Sequence, residues 1–331
     1  MTGLFINLLN AIDSVVHNYG WSIVIFTLII RMVLMPLDIK SKKAMRQMNK
    51  VQPKLQALQK KYANDKEKLN QKTMELYKKE HISPTAGCLP MLLSLPILWI
   101  MFSAMRTEGN ARTIQMILDM KETGVLEQAA LQSWLWIKNV FQPDSFAATI
   151  LPAVGSDLRT IVASSASPVL TAENIAVAKE FLASQAYNDI AVNFAPASAF
   201  VRMRLLMWTP LLPTSFANLV KYANGLFILP LLAGASQFLM TKIMNGKQTP
   251  EQKEQQAQQE SQSQSNPMSS PVMKWFFPIF SIWICATSNA AFSIYWMAAN
   301  VIQILQQLVV NWYFDRQDAK EAAQAQNALN E

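Results

Sequence analysis

The chain has 331 residues, of which 51% are apolar and only 15% charged, with a mean hydropathy of +0.13 and a formal charge of +7. That balance excludes an ordinary soluble protein and points to a polytopic membrane protein. Its two cysteines, Cys88 and Cys285, are too few for a cysteine metal cluster and suit packing in or beside apolar spans.

Residues 1–17 lack a basic n-region and a small-residue cleavage site, so no signal peptide is expected. Phe5, Leu8, Leu9, Ile12, Val15 and Val16 share one helical face, opposite Asn7, Asn10, Asp13 and Ser14, which predicts an interfacial amphipathic helix. Next, Tyr19 to Ile30 supplies 12 uncharged residues. That is too few to cross a hydrocarbon core of ~30 Å at ~1.5 Å per residue. A first span over 18–37 therefore has to contain Arg31. Two readings of this residue stand side by side: its long stem snorkels toward the interface, or it is an intramembrane functional cation.

Between Asp38 and Gly87 there are thirteen Lys or Arg against five acids, whereas Arg106 to Lys221 holds nine of each. The positive-inside bias puts residues 38–87 in the cytoplasm. There the spacing of Val51, Leu55, Leu58 and Tyr62, Pro53 in a first turn, and Asn64 with Glu67 as a capping box predict a basic helical hairpin closed by Ser83-Pro84. A second span is expected over 88–105, then an extracytoplasmic region over 106–221. That region contains a helical stretch from Ala172 to Ser184 and an apolar stretch from Phe200 to Leu212, interrupted by Arg202, Arg204 and Pro210, which reads as an interfacial helix. A third span follows over 222–243 and a polar loop expected to be disordered over 244–273. The fourth and fifth spans are expected over 274–289 and 290–314, before a charge-balanced cytoplasmic tail over 315–331. The expected fold is an all-α polytopic membrane protein with five transmembrane helices, N-out/C-in, a cytoplasmic hairpin and an enlarged extracytoplasmic insertion.

No catalytic constellation, phosphate-binding loop or metal motif is present, and His17 and His81 fall on opposite sides of the membrane, so neither an enzyme nor a cofactor is expected. The five spans contain no Asp or Glu. That leaves Arg31 to find water, polar groups or a visiting carboxylate. Ser94, Ser236, Gln237, Thr241, Asn300, Gln303, Gln306 and Gln307 are polar positions in the spans. They suit interhelical hydrogen bonds taken singly, or the lining of a hydrated cavity taken with Arg31.

An ordered set of motifs runs through the chain: Tyr19-Gly20-Trp21-Ser22, Ile30-Arg31, Pro36-Leu37, Gln52-Pro53-Lys54-Leu55-Gln56-Ala57, Leu76-Tyr77-Lys78, Gly87-Cys88-Leu89-Pro90, Leu95-Pro96-Ile97, Ile228-Leu229-Pro230 with Gly234, and Tyr295-Trp296 with Asn300. In this order they resemble the YidC/Oxa/Alb family of membrane protein insertases, over most of 1–144 and 226–314. Two departures stand out. Ser288-Asn289-Ala290-Ala291 takes the place of the family's Phe-Pro-x-Gly-like turn, and residues 145–225 form an insertion on which the resemblance is silent.

The resemblance implies a helical bundle with a hydrophilic groove open to the cytoplasm and to lipid, using neither nucleotide nor cofactor. Arg31 would be the groove cation, with Gln237, Thr241, Trp296 and Ser94 as further groove candidates. The implied clients are nascent membrane proteins in the cell membrane. The basic hairpin would face them or the Sec translocon, ribosome or signal recognition particle machinery. A small-solute transporter or channel is the alternative function. It requires inverted repeats and broken helices at a midplane site, and neither is evident. A passive assembly scaffold is a third reading, one that makes groove polarity dispensable.

Overall fold

The computed structural model describes residues 2–80, 89–127, 131–152, 161–194, 196–202, 211–244 and 271–330. These are mostly helical, with one antiparallel strand pair, and the chain divides into two compact units: Met1–Leu28 with Phe102–Glu331, and Ile29–Met101. Among the described residues, Tyr19–Ala44 and Ala290–Lys320 are long and apolar enough to cross a membrane. Thr2–Val16, Ile228–Ile243 and Trp275–Thr287 are shorter apolar helices.

In the first unit, α1 (Thr2–Val16) carries the expected amphipathic pattern, but its apolar residues divide between two directions. Ile6 and Leu9 are buried, while Leu4, Leu8 and Val15 are exposed. Phe5 meets Phe26 of α2 (Tyr19–Lys61) edge-on at 6.0 Å. Gly20 of α2 lies so close to the Trp134 ring that a Cβ there would collide with it.

The end of α4 (Leu89–Thr123) supports the inserted region. Ala111, Ile114, Met116, Ile117 and Met120 form a buried cluster with Leu151, Ile161 and Leu170 and with residues of α5 (Ala172–Leu182) and α6 (Gln185–Ala191). Thr171 and Ser184 cap these two helices through their hydroxyls, as N-cap residues do. The buried Tyr187 hydroxyl donates to the Pro152 carbonyl at 2.7 Å. The expected interfacial helix over 200–212 is not formed at either end. Instead β1 (Phe200–Arg202) pairs antiparallel with β2 (Leu211–Pro213), Val201 opposite Leu212, and residues 203–210 lie outside the described set. Phe200 and Val201 have high strand propensity, and Pro213 falls at the end of a two-stranded edge where its missing N–H does no harm. A short helix, α7 (Phe216–Tyr222), follows.

Helix α8 (Ile228–Met244) packs on α9 (Pro271–Thr287) and on α10 (Ala290–Asn330). Gly234 makes the α8–α9 approach possible, because a Cβ there would sit 2.5 Å from Ile282 Cγ1. Gly234→Ala is expected to cost about 1–3 kcal/mol by overpacking, read as a lower midpoint of thermal unfolding in detergent. Ser288 and Asn289 turn the chain from α9 into α10. Asn289 Oδ1 accepts from Phe292 N at 3.0 Å, and its Nδ2 donates to the Met105 carbonyl. Ala290 N and Ala291 N donate to the Gln142 and Val140 carbonyls at 2.9 and 2.8 Å. An asparagine N-cap thus forms the turn from α9 into α10 and ties it to the end of α4 and the segment after it.

In the second unit, α2 continues past Leu37 to Lys61 without a break, with Pro36 and Pro53 inside it, so Pro53 does not open a new helix. Helix α3 (Lys66–Lys79) is capped by Asp65, whose carboxylate accepts from Lys68 N, and the expected Asn64 cap lies one residue too early. The ionised side chain is the better acceptor and complements the helix dipole. Val51 is buried, α3 has no buried residue, and Lys54 pairs with Glu80 at 2.6 Å. The hydrogen bond from Lys54 holds the half-buried Glu80 carboxyl below the usual range. The closing Ser83-Pro84 and residues 245–270 of the loop expected to be disordered over 244–273 lie outside the described residues, while the ends of that loop are helical, Met244 closing α8 and Pro271–Met273 opening α9.

Candidate functional site

Arg31 is half-buried on α2, in the second unit. Asp38 and Lys42 follow it at i+7 and i+11, which returns both to its helical face. The charge of Arg31 acts on both groups. Asp38 Oδ2 is buried and has no hydrogen-bond partner among the described residues. Residues 18–37 are free of acids, but the uninterrupted helix brings Asp38 onto the same face.

The other expected site residues are placed in different surroundings. Gln237 and Thr241 are half-buried on α8, where the Thr241 hydroxyl donates to the Gln237 backbone carbonyl at 2.9 Å. Ser236 and Asn300 join α8 to α10 through a 3.1 Å hydrogen bond, so these two serve helix packing. One turn before Asn300, Trp296 rests against Phe292 at 5.5 Å. Its indole Nε1 is buried without a hydrogen-bond partner among the described residues, as is Ser281 Oγ. An unpaired buried donor costs about 1–3 kcal/mol unless water or a ligand satisfies it. The Ser94 side chain lies outside the described residues.

Two polar clusters in the first unit are not apparent from the sequence pattern. In the first, Arg112 Nε donates to Glu108 Oε1 at 2.9 Å, and Arg112 Nη2 donates to Asn10 Oδ1 at 3.1 Å, with Asp13 at 3.9 Å. The Arg112 guanidinium also lies over the Tyr19 ring, and Ser22 Oγ donates to Asp13 Oδ1. Burial opposes the Arg112 charge, and Glu108 together with the other neighbours outweighs it, holding its pKa up. The Glu108 side chain is only 6% exposed. Arg112→Ala strands that carboxylate and is expected to cost about 2 kcal/mol, discounted for the partial exposure of Arg112. Thermal unfolding of Arg112→Ala beside Arg112→Lys measures it.

The second cluster centres on Asp144. Its buried carboxylate accepts from Leu226 N and Phe227 N through Oδ1 at 2.9 and 3.2 Å, and from Leu229 N and Trp136 Nε1 through Oδ2 at 2.7 and 3.3 Å. An anion here satisfies unpaired N–H groups and the positive end of the α8 dipole. Phe227 has φ +64°, a strained value for a bulky residue, and the grip on its N–H holds it there. Beside it the buried Asn224 accepts from Asn139 N through Oδ1 and donates through Nδ2 to the Asn139 and Pro143 carbonyls.

Residues 11–317 match the model of the 60Kd inner membrane protein family. The chain belongs to that family. It is accordingly a protein of the cell membrane. Among its relatives, the "Membrane protein insertase YidC" of Fusobacterium nucleatum subsp. nucleatum is 49% identical over 100 residues, 30% of this chain and 49% of that protein. The protein of the same name from Caldanaerobacter subterraneus subsp. tengcongensis is 47% identical over 100 residues, 30% of this chain and 48% of that one. A third, from Legionella pneumophila (strain Corby), is 47% identical over 97 residues, 29% of this chain and 17% of that one. The chain spans about half or less of the length of these curated relatives.

Proposed function

We propose that this chain is a membrane protein insertase and chaperone that moves client transmembrane segments from the cytoplasm into the bilayer. The observation that carries the reading is the family match over residues 11–317, which is supported by relatives named as insertases. Five transmembrane helices in an N-out/C-in arrangement go with it, the cytoplasmic bias of the basic segment 38–87 supplying the orientation.

In this reading Arg31 attracts acidic or polar outer segments of a client, an attraction that low dielectric strengthens and that needs no nucleotide. Gln237, Thr241, Trp296 and Ser94 are the further client-contacting candidates, and the unpaired indole N–H of Trp296 offers a donor to a passing backbone. The basic hairpin meets nascent membrane proteins or the Sec translocon, ribosome or signal recognition particle machinery.

Asp38 competes with the client for Arg31. Asp38→Asn is therefore expected to raise insertion of acidic clients when the wild type is made limiting, measured by protease protection of the client's outer segment. Site-specific crosslinking tests the whole reading. A photoreactive residue beside Arg31 is expected to capture a ribosome-stalled nascent membrane protein, and capture of soluble nascent chains alone would sink the proposal.

A further inference from the structure

Helix α7 has seven residues and none of them is buried. So short a helix does not hold itself together in water. Phe216, Leu219 and Val220 fall on one side of it, and Phe216 and Val220 are 78% and 53% exposed. Yet both ends are built to keep it helical. Ser215 Oγ accepts from Asn218 N, while Lys138 Nζ donates to the Val220 and Ala223 carbonyls at 2.7 and 2.8 Å. The C-terminal side is then tied down by the Thr149–Ala223 bridge, by Asn224 N donating to the Ala148 carbonyl, and by the Asp144 grip on the start of α8. The helix is thus fixed in place with Phe216 and Val220 left exposed and Leu219 half-buried among the described residues.

Chain continuity indicates what covers it. The path from Tyr222 to Ile228 of α8 is at most about 20 Å, and the hydrogen bonds just named shorten it. Along that path Leu226 and Phe146 are also exposed, and Phe146 packs on Phe227 at 5.8 Å. The exposed Lys221 ammonium lies 5.0 Å from the Tyr222 ring centre, a cation and an aromatic ring together at the foot of an apolar helix. Tyrosine rings concentrate at the level of lipid headgroups, and a lysine stem can lie along apolar surface while its ammonium reaches the polar layer.

We infer that α7 docks on the outer face of the lipid bilayer, with Phe216, Leu219 and Val220 immersed at the headgroup and acyl boundary and Lys221 at the lipid phosphates. This rests on the reading of α8 as a membrane span. Within the inserted region α7 is then a part that rests on the membrane.

Full-length protein with its native cysteines replaced, reconstituted in phosphatidylcholine and phosphatidylglycerol vesicles, tests this through an environment-sensitive fluorophore on single cysteines. Phe216→Cys and Val220→Cys are the probes, Phe238→Cys on α8 is the lipid reference and the 71% exposed Val162→Cys the water reference. The expected result is quenching of both probes, by about twofold or more, by a lipid carrying its quencher high on the acyl chain, with little quenching by aqueous iodide. Iodide quenching of the probes as strong as at position 162 would place α7 in water and overturn the inference. Protection from both quenchers would do so too, since α7 would then be covered by protein, either a client or a second copy. If the position 238 reference also escapes lipid quenching, the span assignment of α8 falls with it, whereas a quenched reference beside unquenched probes leaves that assignment intact.

Discussion

Arg31→Ala is expected to reduce insertion of clients with acidic outer segments by at least about tenfold, while Arg31→Lys keeps most of the activity. A charge pair at ~4 Å in an effective dielectric of ~20 is worth about 4 kcal/mol before desolvation. Losing even a third of that is about 1.4 kcal/mol, or tenfold. Lysine preserves the charge but not the planar fork, so it separates electrostatic attraction from bidentate recognition. An in vivo assay scoring the translocated outer segment of an acidic client, beside one with a neutral segment, reads the effect. Equal insertion of both clients by Arg31→Ala would reject the groove-cation role. The Asp38→Asn variant adds a sign check, because neutralising the competing acid on the same helical face moves activity the opposite way.

The second large effect is on stability. Asp144→Ala removes an acceptor for three backbone N–H groups and one indole N–H, the Leu229 bond buried and the other three part-buried. Hydrogen bonds to a charged acceptor are worth about 1.5–3 kcal/mol each, and stranding the donors adds their desolvation, so a loss of at least about 3 kcal/mol is expected. The strained φ of Phe227 loses its restraint as well. Thermal unfolding in detergent should show a markedly lower midpoint for Asp144→Ala and a smaller drop for Asp144→Asn, which keeps one acceptor oxygen but turns an amide toward donors. Equal midpoints for Asp144→Ala and wild type would show that the N-terminus of α8 is held by other means.

Much of this was legible from local pattern. Apolar run length pointed to Tyr19–Ala44 and Ala290–Lys320, the two described helices long and apolar enough to cross a membrane. The 4-3-4 spacing of Val51, Leu55, Leu58 and Tyr62 indicated a helix where α2 indeed continues. Strand pairing of Phe200–Arg202 with Leu211–Pro213 escaped, since the alternation Val201-Arg202-Met203-Arg204-Leu205 is brief and runs straight into the unbroken apolar stretch Leu205-Leu206-Met207-Trp208, which reads as helix. The helix cap at Asp65 was missed by one residue, the ordinary ambiguity among adjacent capping residues. Asp144 could not be found by spacing at all. It caps a helix 82 to 85 residues further on, and a cap is a local motif only when donor and acceptor are near in sequence. The Arg112 cluster is hidden likewise, because Asn10 lies 102 residues away.

The closure at Asn224 has an evolutionary consequence. Because Ala148 and Asn224 are hydrogen-bonded across the root of the inserted region, the chain departs and returns at one splice point, and material can be gained or lost there without shifting the register of α8. Excision is not neutral, however. It would bare Ile114, Ile117 and Met120, each now at most 1% exposed, along the last turns of α4. Relatives with a short connection at this point should therefore carry polar residues at these three positions or end α4 sooner, and an excised version of this chain should need the same three changes to remain monodisperse.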